Sequence, residues 1–130
     1  MRTKTYAAIA LGIAATIVCL ELYPFKFRVP PGGPGPFQKL LQSWADAPVL
    51  GDFLRNTAAY TVLAFFATKA FGCTRARLHW APIVVAAGAP CSVSFELTQY
   101  FLPGRYTSAM DVYADALGLL IGSAVALLSR

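Results

Sequence analysis

The stretch that decides the fold is Asp111–Leu128, which reads DVYADALGLLIGSAVALL. It is close to the roughly 20 residues that a helix needs to cross about 30 Å of hydrocarbon, so it predicts a membrane span. Asp111 and Asp115 stand one helical turn apart at its start, and Gly118 and Gly122 follow on the same face. Two small residues at this spacing let a neighbouring backbone approach closely. The stretch therefore predicts a helix whose polar, glycine-bearing face is turned towards other helices.

The composition of the whole chain is that of a membrane protein. Hydrophobic residues make up 57% of its 130 residues and charged residues 13%, against roughly 45–50% and about 25% in soluble domains. The length predicts one domain, residues 1–130. Cys19, Cys73 and Cys91 form no CxxC or Cys/His pattern, so we expect neither a disulfide framework nor a zinc site. We expect no cofactor.

Three further segments resemble Asp111–Leu128 in length and apolar character. Their predicted bounds are Tyr6 to about Tyr23, Asp52 to Phe71, and about Leu78 to Phe101. The first has no small-x-small cleavage site near its end, so we expect an uncleaved anchor rather than a signal peptide. The sequence thus predicts an all-α, polytopic membrane protein with four transmembrane helices in a small bundle.

A loop rich in proline and glycine, residues 24–51, joins the first two predicted spans. Its Pro30–Pro36 stretch, PPGGPGP, cannot form a regular helix or sheet and predicts a stiff, extended connector. Beyond it, apolar residues at positions 37, 40, 41 and 44 have the spacing of one helical face. A short interfacial helix anchored by Trp44 and a packed loop both remain open.

The distribution of charge predicts an orientation. With four spans, both termini share a side with the loop between the second and third spans, and that side carries Arg2, Lys4, Lys69, Arg75, Arg77 and Arg130 without any acid. The other side carries five cations and all six acids. The positive-inside rule counts cations, and it favours cytoplasmic termini more clearly if Arg55 and Arg105 belong to a site. The net charge of +5 then indicates contact with membrane lipids, not nucleic acid, because no basic stripe with interleaved aromatic residues is present.

This topology brings polar residues from separate helices into one layer on the outer side. The predicted cluster consists of Asp52, Asn56, Glu96, Gln99, Arg105, Asp111 and Asp115. Polar groups at membrane depth are costly and persist mainly where they pair or perform a function. Asp52 and Asp111 could instead be helix N-caps, and Arg105 could reach for lipid phosphate. Glu96 and Gln99 lie near a carboxyl-terminal helix end, where these residues gain nothing from the helix dipole, so capping does not explain them.

The pattern of these residues resembles the VanZ-like family of small, polytopic bacterial membrane proteins. The motifs are Asp52-x-x-x-Asn56, Glu96-x-x-Gln99, Arg105, and Asp111 followed by Gly118-x-x-x-Gly122, and Pro24-Phe25-x-Phe27 is a weaker match. Some members of that family are linked to low-level teicoplanin resistance, and the resemblance implies no settled reaction. It implies a place in the bacterial cytoplasmic (inner) membrane, as part of the cell envelope.

The chain departs from the family's pattern in its second and fourth spans. Tyr60-Thr61-Val62-Leu63-Ala64 stands where the family usually has Phe-x-Pro-Leu-Gly, so the usual kink is not expected. Asp115 stands where the family usually has Asn. Two carboxylates on successive turns repel each other, and a cation close by, Arg105 or Arg55, would offset this repulsion.

Three classes of function remain open. The polar cluster could bind a lipid, an envelope precursor or a glycopeptide-type amphiphile without any catalyst. It could act on a lipid-linked substrate with Glu96 or Asp111 as general base, although no nucleophile motif accompanies these residues. It could also only lock the helices together in an accessory subunit of a larger membrane complex. Carboxylates could hold a hard cation, but the nearby arginine argues against a metal.

Overall fold

The computed structural model describes residues 3–129, and its regular secondary structure is helical. The helices are α1 (Thr3–Leu22), α2 (Pro36–Gln42), α3 (Leu50–Lys69), α4 (Thr74–Gln99) and α5 (Ala109–Leu128), with a 3₁₀ turn at Ser43–Ala45 after α2. No strand occurs within residues 3–129. The prediction of an all-α fold is confirmed, and each long helix starts a few residues before its predicted span.

The four long helices alternate in direction. At one end, the α1 residue Tyr6 packs against Phe66 near the end of α3, with 6.0 Å between ring centroids, and Lys69 Nζ lies 2.9 Å from the carbonyl oxygen of Ser129. We call this the basic end. At the other, Arg105 joins the start of α5 to the end of α1. We call this the cluster end: α1 and α4 end there, and α3 and α5 begin there.

Helices α3 and α5 run parallel and form the tightest seam of the bundle. A Cβ on Gly122 would lie 2.1 Å from the carbonyl oxygen of Thr61, and one on Gly118 would lie 2.5 Å from that of Thr57. Further along the seam, the buried Thr68 donates a hydrogen bond to Ser123 at 3.3 Å. The two glycines thus allow backbone-to-backbone contact that any side chain would prevent.

The structure corrects the number of predicted transmembrane helices. Three helices, α1, α4 and α5, are long and apolar enough to cross a membrane, not four. Helix α3 has the same 20-residue length as α1 and α5, but Asp52, Arg55 and Lys69 place charges near both of its ends. The prediction counted α3 by its length, whereas its apolar character is weaker. The fold remains consistent with a membrane protein.

The segment between α1 and α3 is attached to the cluster end by hydrogen bonds. The backbone N–H of Arg28 donates to the carbonyl oxygen of Phe101 at 2.8 Å, and the Tyr100 hydroxyl donates to that of Pro34. The N–H of Ala109 donates to Ser43 Oγ at 2.8 Å. A short helix, α2, does form where the pattern left a helix or a loop open. The predicted connector, Pro30–Pro36, is therefore attached to the bundle at Pro34, and the chain on either side of it is attached at Arg28 and Ser43.

Candidate functional site

A cavity of about 670 Å³ opens at the cluster end, and we call it the polar cavity. Its walls come from α1, α3, α5, the end of α4 with the turn that follows it, and the residues just before α3. The polar residues that line it are Glu21, Asp46, Asp52, Arg55, Asn56, Gln99, Arg105, Thr107, Ser108 and Asp111. Apolar side chains such as Ile17, Leu20 and Phe53 complete the lining. Distant parts of the sequence therefore meet in one polar space with partly apolar walls.

The structure brings five of the seven predicted cluster residues to this cavity and leaves two behind it. The five that line it are Asp52, Asn56, Gln99, Arg105 and Asp111. Glu96 and Asp115 are buried in the bundle and do not line it. Gly118 and Gly122 lie deeper, in the seam with α3.

Arg105 contacts a helix that the sequence reasoning did not assign to the cluster. Its Nη2 lies 3.0 Å from the carbonyl oxygens of both Leu20 and Glu21 and 3.5 Å from Glu21 Oε2. The last carbonyls of a helix lack partners within it, so the guanidinium completes the end of α1. The ion-pair partner of Arg105 therefore lies on α1, and not on α4 or α5, whose acids flank Arg105 in the sequence.

Glu21 is the main residue that the sequence-based cluster omitted. Besides the Arg105 contact, its carboxylate accepts a hydrogen bond from the Gln99 side chain. The sequence held one signal for it, since Glu21 is the only charged residue in the predicted span from Tyr6 to Tyr23. Nothing in the sequence indicated that α1 ends beside the turn after α4.

Asp52 and Asp111 are not N-caps, which removes that alternative for both. The residue at the N-cap of α3 is Val49, which makes no side-chain cap. The N-cap of α5 is Ser108, whose Oγ accepts a hydrogen bond from the Asp111 N–H at 3.3 Å. Both aspartates lie in the first helical turn, where the helix dipole favours a negative charge.

The carboxylates around the cavity outnumber the cations, and the cations are engaged. Arg55 pairs with Asp52 at 3.0 Å, with side chains 70% and 47% exposed, and Arg105 pairs with Glu21. Among residues 3–129, no side-chain hydrogen bond or ion pair joins the half-buried Asp111 carboxylate to another residue. The exposed Asp46 carboxylate likewise has no side-chain hydrogen bond or ion pair within these residues. The cavity thus presents hydrogen-bond acceptors and negative charge that the protein leaves unpaired.

Glu96 stabilises the wall of the cavity from the side that faces the interior of the bundle. Its Oε2 accepts a hydrogen bond from the Ser108 N–H at 2.7 Å, and its backbone carbonyl accepts one from the Thr107 hydroxyl at 3.2 Å. These contacts fix the chain just before α5 begins. Because the Glu96 side chain is buried and engaged, it orients the cavity wall and does not face the cavity.

Asp115 belongs to a second buried group of polar side chains, between α3, α4 and α5. The Ser92 hydroxyl donates to Asp115 Oδ2. Asp115 Oδ1 and the Tyr60 hydroxyl are also buried, and the two side chains lie close enough to each other to interact. Asp111 faces the cavity and Asp115 is enclosed by the helices, and the repulsion expected between the two carboxylates still acts on Asp115.

The arrangement is suited to binding by charge and hydrogen bonds. Ser92, the serine nearest to a carboxylate, is buried away from the cavity. The single histidine of the chain, His79, lies near the start of α4 at the basic end, where its Nδ1 is 2.8 Å from the carbonyl oxygen of Arg75. Within the described residues, no three His, Cys, Asp or Glu side chains come together in a way that could hold a metal ion.

Comparison with known proteins supports the resemblance seen in the motifs. The sequence model of the VanZ/LLP1 family matches residues 4–130, which is nearly the whole chain. No curated protein and no solved structure matches it. The match also covers α1, which carries none of the motifs quoted above and in which Glu21 lies. The chain therefore belongs to the VanZ/LLP1 family.

Proposed function

We propose that this membrane protein binds, in the polar cavity, the cationic or hydrogen-bond-donating head of an amphiphilic ligand. The observation that carries the proposal is the unpaired carboxylate of Asp111 in a cavity of about 670 Å³. Volumes of roughly 300–1,000 Å³ are typical of ligand sites. A membrane lipid, an envelope precursor and an amphiphilic antibiotic all have the required general form.

The charge of the lining favours a ligand head with a positive charge. Four carboxylates line the cavity, those of Glu21, Asp46, Asp52 and Asp111, against the two guanidinium groups of Arg55 and Arg105. Since each arginine already pairs with one carboxylate, two carboxylates remain. An ammonium group entering the cavity would pair with them, whereas an anion would be repelled.

The position of the cavity favours a ligand that reaches it from the membrane boundary. Apolar side chains of α1 and α3, Ile17, Leu20 and Phe53, share the wall with the polar groups. Helices α1 and α4, which are apolar enough to span a membrane, both end at this level. An amphiphile could therefore keep its tail among lipids while its head enters the cavity.

The distribution of cations favours a cavity that faces the outside of the cytoplasmic membrane. The basic end carries Lys69, Arg75 and Arg77, and the terminal Arg2, Lys4 and Arg130 adjoin it in sequence, without an acid. Cytoplasmic segments are enriched in Lys and Arg. Both termini would then be cytoplasmic, and the cavity would meet envelope components.

Equilibrium binding of a defined probe tests the proposal. The probe is a fluorescent long-chain alkylammonium, measured against the matched uncharged alcohol, with the protein in phosphatidylcholine nanodiscs and empty nanodiscs as background. We expect the alkylammonium to bind more tightly than the alcohol. Asp111→Asn should weaken its binding about tenfold, because a hydrogen bond to a charged group contributes about 1.5 kcal/mol.

The matched control is Asp115→Asn, which removes a carboxylate outside the cavity. Its amide oxygen can still accept the hydrogen bond from Ser92. We expect binding of the alkylammonium to this variant to be close to that of the wild type. Equal binding of the two probes to the folded wild-type protein would refute the proposal, as would equal loss in both variants.

A further inference from the structure

A second, shallower depression lies on the outer surface of the cluster end, and we call it the aromatic groove. It has a volume of about 340 Å³ and is lined by Phe27, Arg28, Val29 and Phe101. The residues Phe27 and Val29 are 51% and 82% exposed. Phe27, Val29 and Phe101 thus give the groove apolar walls, and the exposed Arg28 stands between Phe27 and Val29 in the chain, at the edge of these walls.

The backbone holds the groove in shape. The N–H of Arg28 donates to the carbonyl oxygen of Phe101 at 2.8 Å, so the two sides of the groove are joined directly. Tyr100, next to Phe101, donates its hydroxyl hydrogen to the carbonyl oxygen of Pro34. A groove fixed at two points loses little conformational entropy when a ligand enters it.

The groove lies at the level where a membrane's headgroups are expected. Phe101 is two residues beyond Gln99, where α4 ends, and Phe27 is five residues beyond Leu22, where α1 ends. Both helices are long and apolar enough to span a membrane. Aromatic residues that follow such helices sit in the interface between hydrocarbon and water.

The charge of the groove is opposite to that of the polar cavity. Lys26 and Arg28 are both exposed, and no acidic residue occurs between Glu21 and Asp46. Glu21 itself is bound by Arg105 and Gln99. The groove therefore attracts an anion and offers an apolar wall beside it.

We propose that the aromatic groove binds an anionic phospholipid of the surrounding leaflet. The lipid phosphate pairs with Arg28, with Lys26 adding attraction, and an acyl chain lies against Phe27, Val29 and Phe101. A guanidinium is suited to this role because it can donate two parallel hydrogen bonds to phosphate oxygens. This inference is independent of the polar cavity, which selects the opposite charge, and it holds whichever ligand that cavity takes.

Quenching of a tryptophan placed in the groove tests the inference. The reporter variant carries Phe27→Trp together with Trp44→Phe and Trp80→Phe, so that one tryptophan remains. It is reconstituted in phosphatidylcholine containing a minor fraction of brominated phosphatidylglycerol or of brominated phosphatidylcholine. We expect the anionic brominated lipid to quench the reporter more strongly, because the groove enriches it.

The change Arg28→Gln in the reporter variant should lower this enrichment about fivefold, the effect of one basic residue near an anionic surface, about 1 kcal/mol. The matched control is Arg75→Gln, which removes an exposed cation at the basic end and should leave the enrichment unchanged. Both variants change exposed side chains, and circular dichroism checks that they remain helical.

Two outcomes would overturn the inference. Equal quenching by the two brominated lipids would mean that the groove does not select an anion. Absence of quenching by either lipid, together with cross-linking of the groove to a second copy of the chain or to another protein, would mean that protein covers it instead.

Discussion

The two ends of the bundle both place charged side chains at helix ends, but they use them differently. At the basic end, Lys69 Nζ and Arg77 Nη1 donate to the carbonyl oxygen of Ser129 at 2.9 and 3.0 Å. Arg77 also donates to the carbonyl oxygens of Gly72 and Ala126. Cations at this end bind the last backbone carbonyls of α5, as the helix dipole favours, and their role is structural.

At the cluster end, Arg105 completes the end of α1 in the same way as Arg77 completes that of α5. The difference lies in the acids, all six of which are in this half of the bundle. Pairing with Arg55 and Arg105 leaves Asp111 unpaired beside a cavity. The comparison teaches that a charge at a helix end is no sign of a site by itself. A carboxylate left unpaired in a cavity is the better sign.

The largest loss of stability is expected from a substitution in the seam between α3 and α5. Gly122→Ala would place a Cβ 2.1 Å from the carbonyl oxygen of Thr61 and 2.9 Å from Ala64 Cβ. Neither atom can move without shifting α3, so we expect the free energy of unfolding to fall by about 3 kcal/mol. Unfolding in mixed detergent, followed by circular dichroism, measures the loss.

Gly12→Ala is the matched control, because nothing lies within 4 Å of a Cβ at that position. It should not lower the free energy of unfolding, since alanine is the better helix former. A Gly122→Ala protein as stable as Gly12→Ala would show that α3 and α5 do not pack as closely as described.

The next largest loss of stability is expected for Arg105, and it should exceed that for Arg55, the other arginine of the cluster end. Arg105→Gln removes contacts with two carbonyls of α1 and leaves Glu21 without its ion pair. We expect a loss of about 2 kcal/mol in the free energy of unfolding, reduced from the value of a fully buried pair because Arg105 is partly exposed. Arg55→Gln breaks only an exposed pair and should cost about 0.5 kcal/mol or less. Similar losses in the two variants would contradict this difference.

A smaller effect is expected at the basic end. Arg77→Gln removes hydrogen bonds to Gly72, Ala126 and Ser129, but it also relieves the repulsion between Arg77 and Lys69. The free energy of unfolding should therefore fall by only about 1 kcal/mol. Binding of the alkylammonium probe, measured at the same time, should not change. Arg75→Gln, which alters an exposed neighbour, is the control for loss of charge. Weaker probe binding in Arg77→Gln would mean that the two ends are coupled.

The smallest effect is expected for Asp115→Asn. The amide oxygen can replace Oδ2 as acceptor for Ser92, and the Tyr60 hydroxyl can accept from the new amide. The free energy of unfolding should change by less than about 0.5 kcal/mol. A loss of about 2 kcal/mol or more, measured by the same detergent titration, would show that the carboxylate itself is required there.

Several features could be predicted because they depend on local pattern. Apolar runs predicted all four long helices, and the Pro/Gly-rich stretch before α2 predicted non-helical chain. The spacing of Asp111, Gly118 and Gly122 indicated which face of α5 meets another helix. The number of spans was wrong because α3 has the length of a membrane helix but carries charges near both ends.

The residues that line the cavity were predicted in part. The topology showed which polar residues share a layer, but it did not show which of them lie next to one another. Glu96 and Asp115 are turned into the bundle, although they lie within one helical turn of residues that line the cavity. The rotation of each helix about its own axis decides which residues face the cavity. It depends on packing with the neighbouring helices, which a single sequence does not reveal.

The sequence by itself determined the helices, the membrane class, the family and the layer in which the polar residues gather, because these depend on residue types and their spacing along the chain. Only the tertiary structure decided that Glu21 is the partner of Arg105, that Asp111 faces a cavity and that Asp115 does not. Those contacts join residues far apart in the chain, and they depend on how the helices are rotated and packed against one another, which a local pattern does not fix.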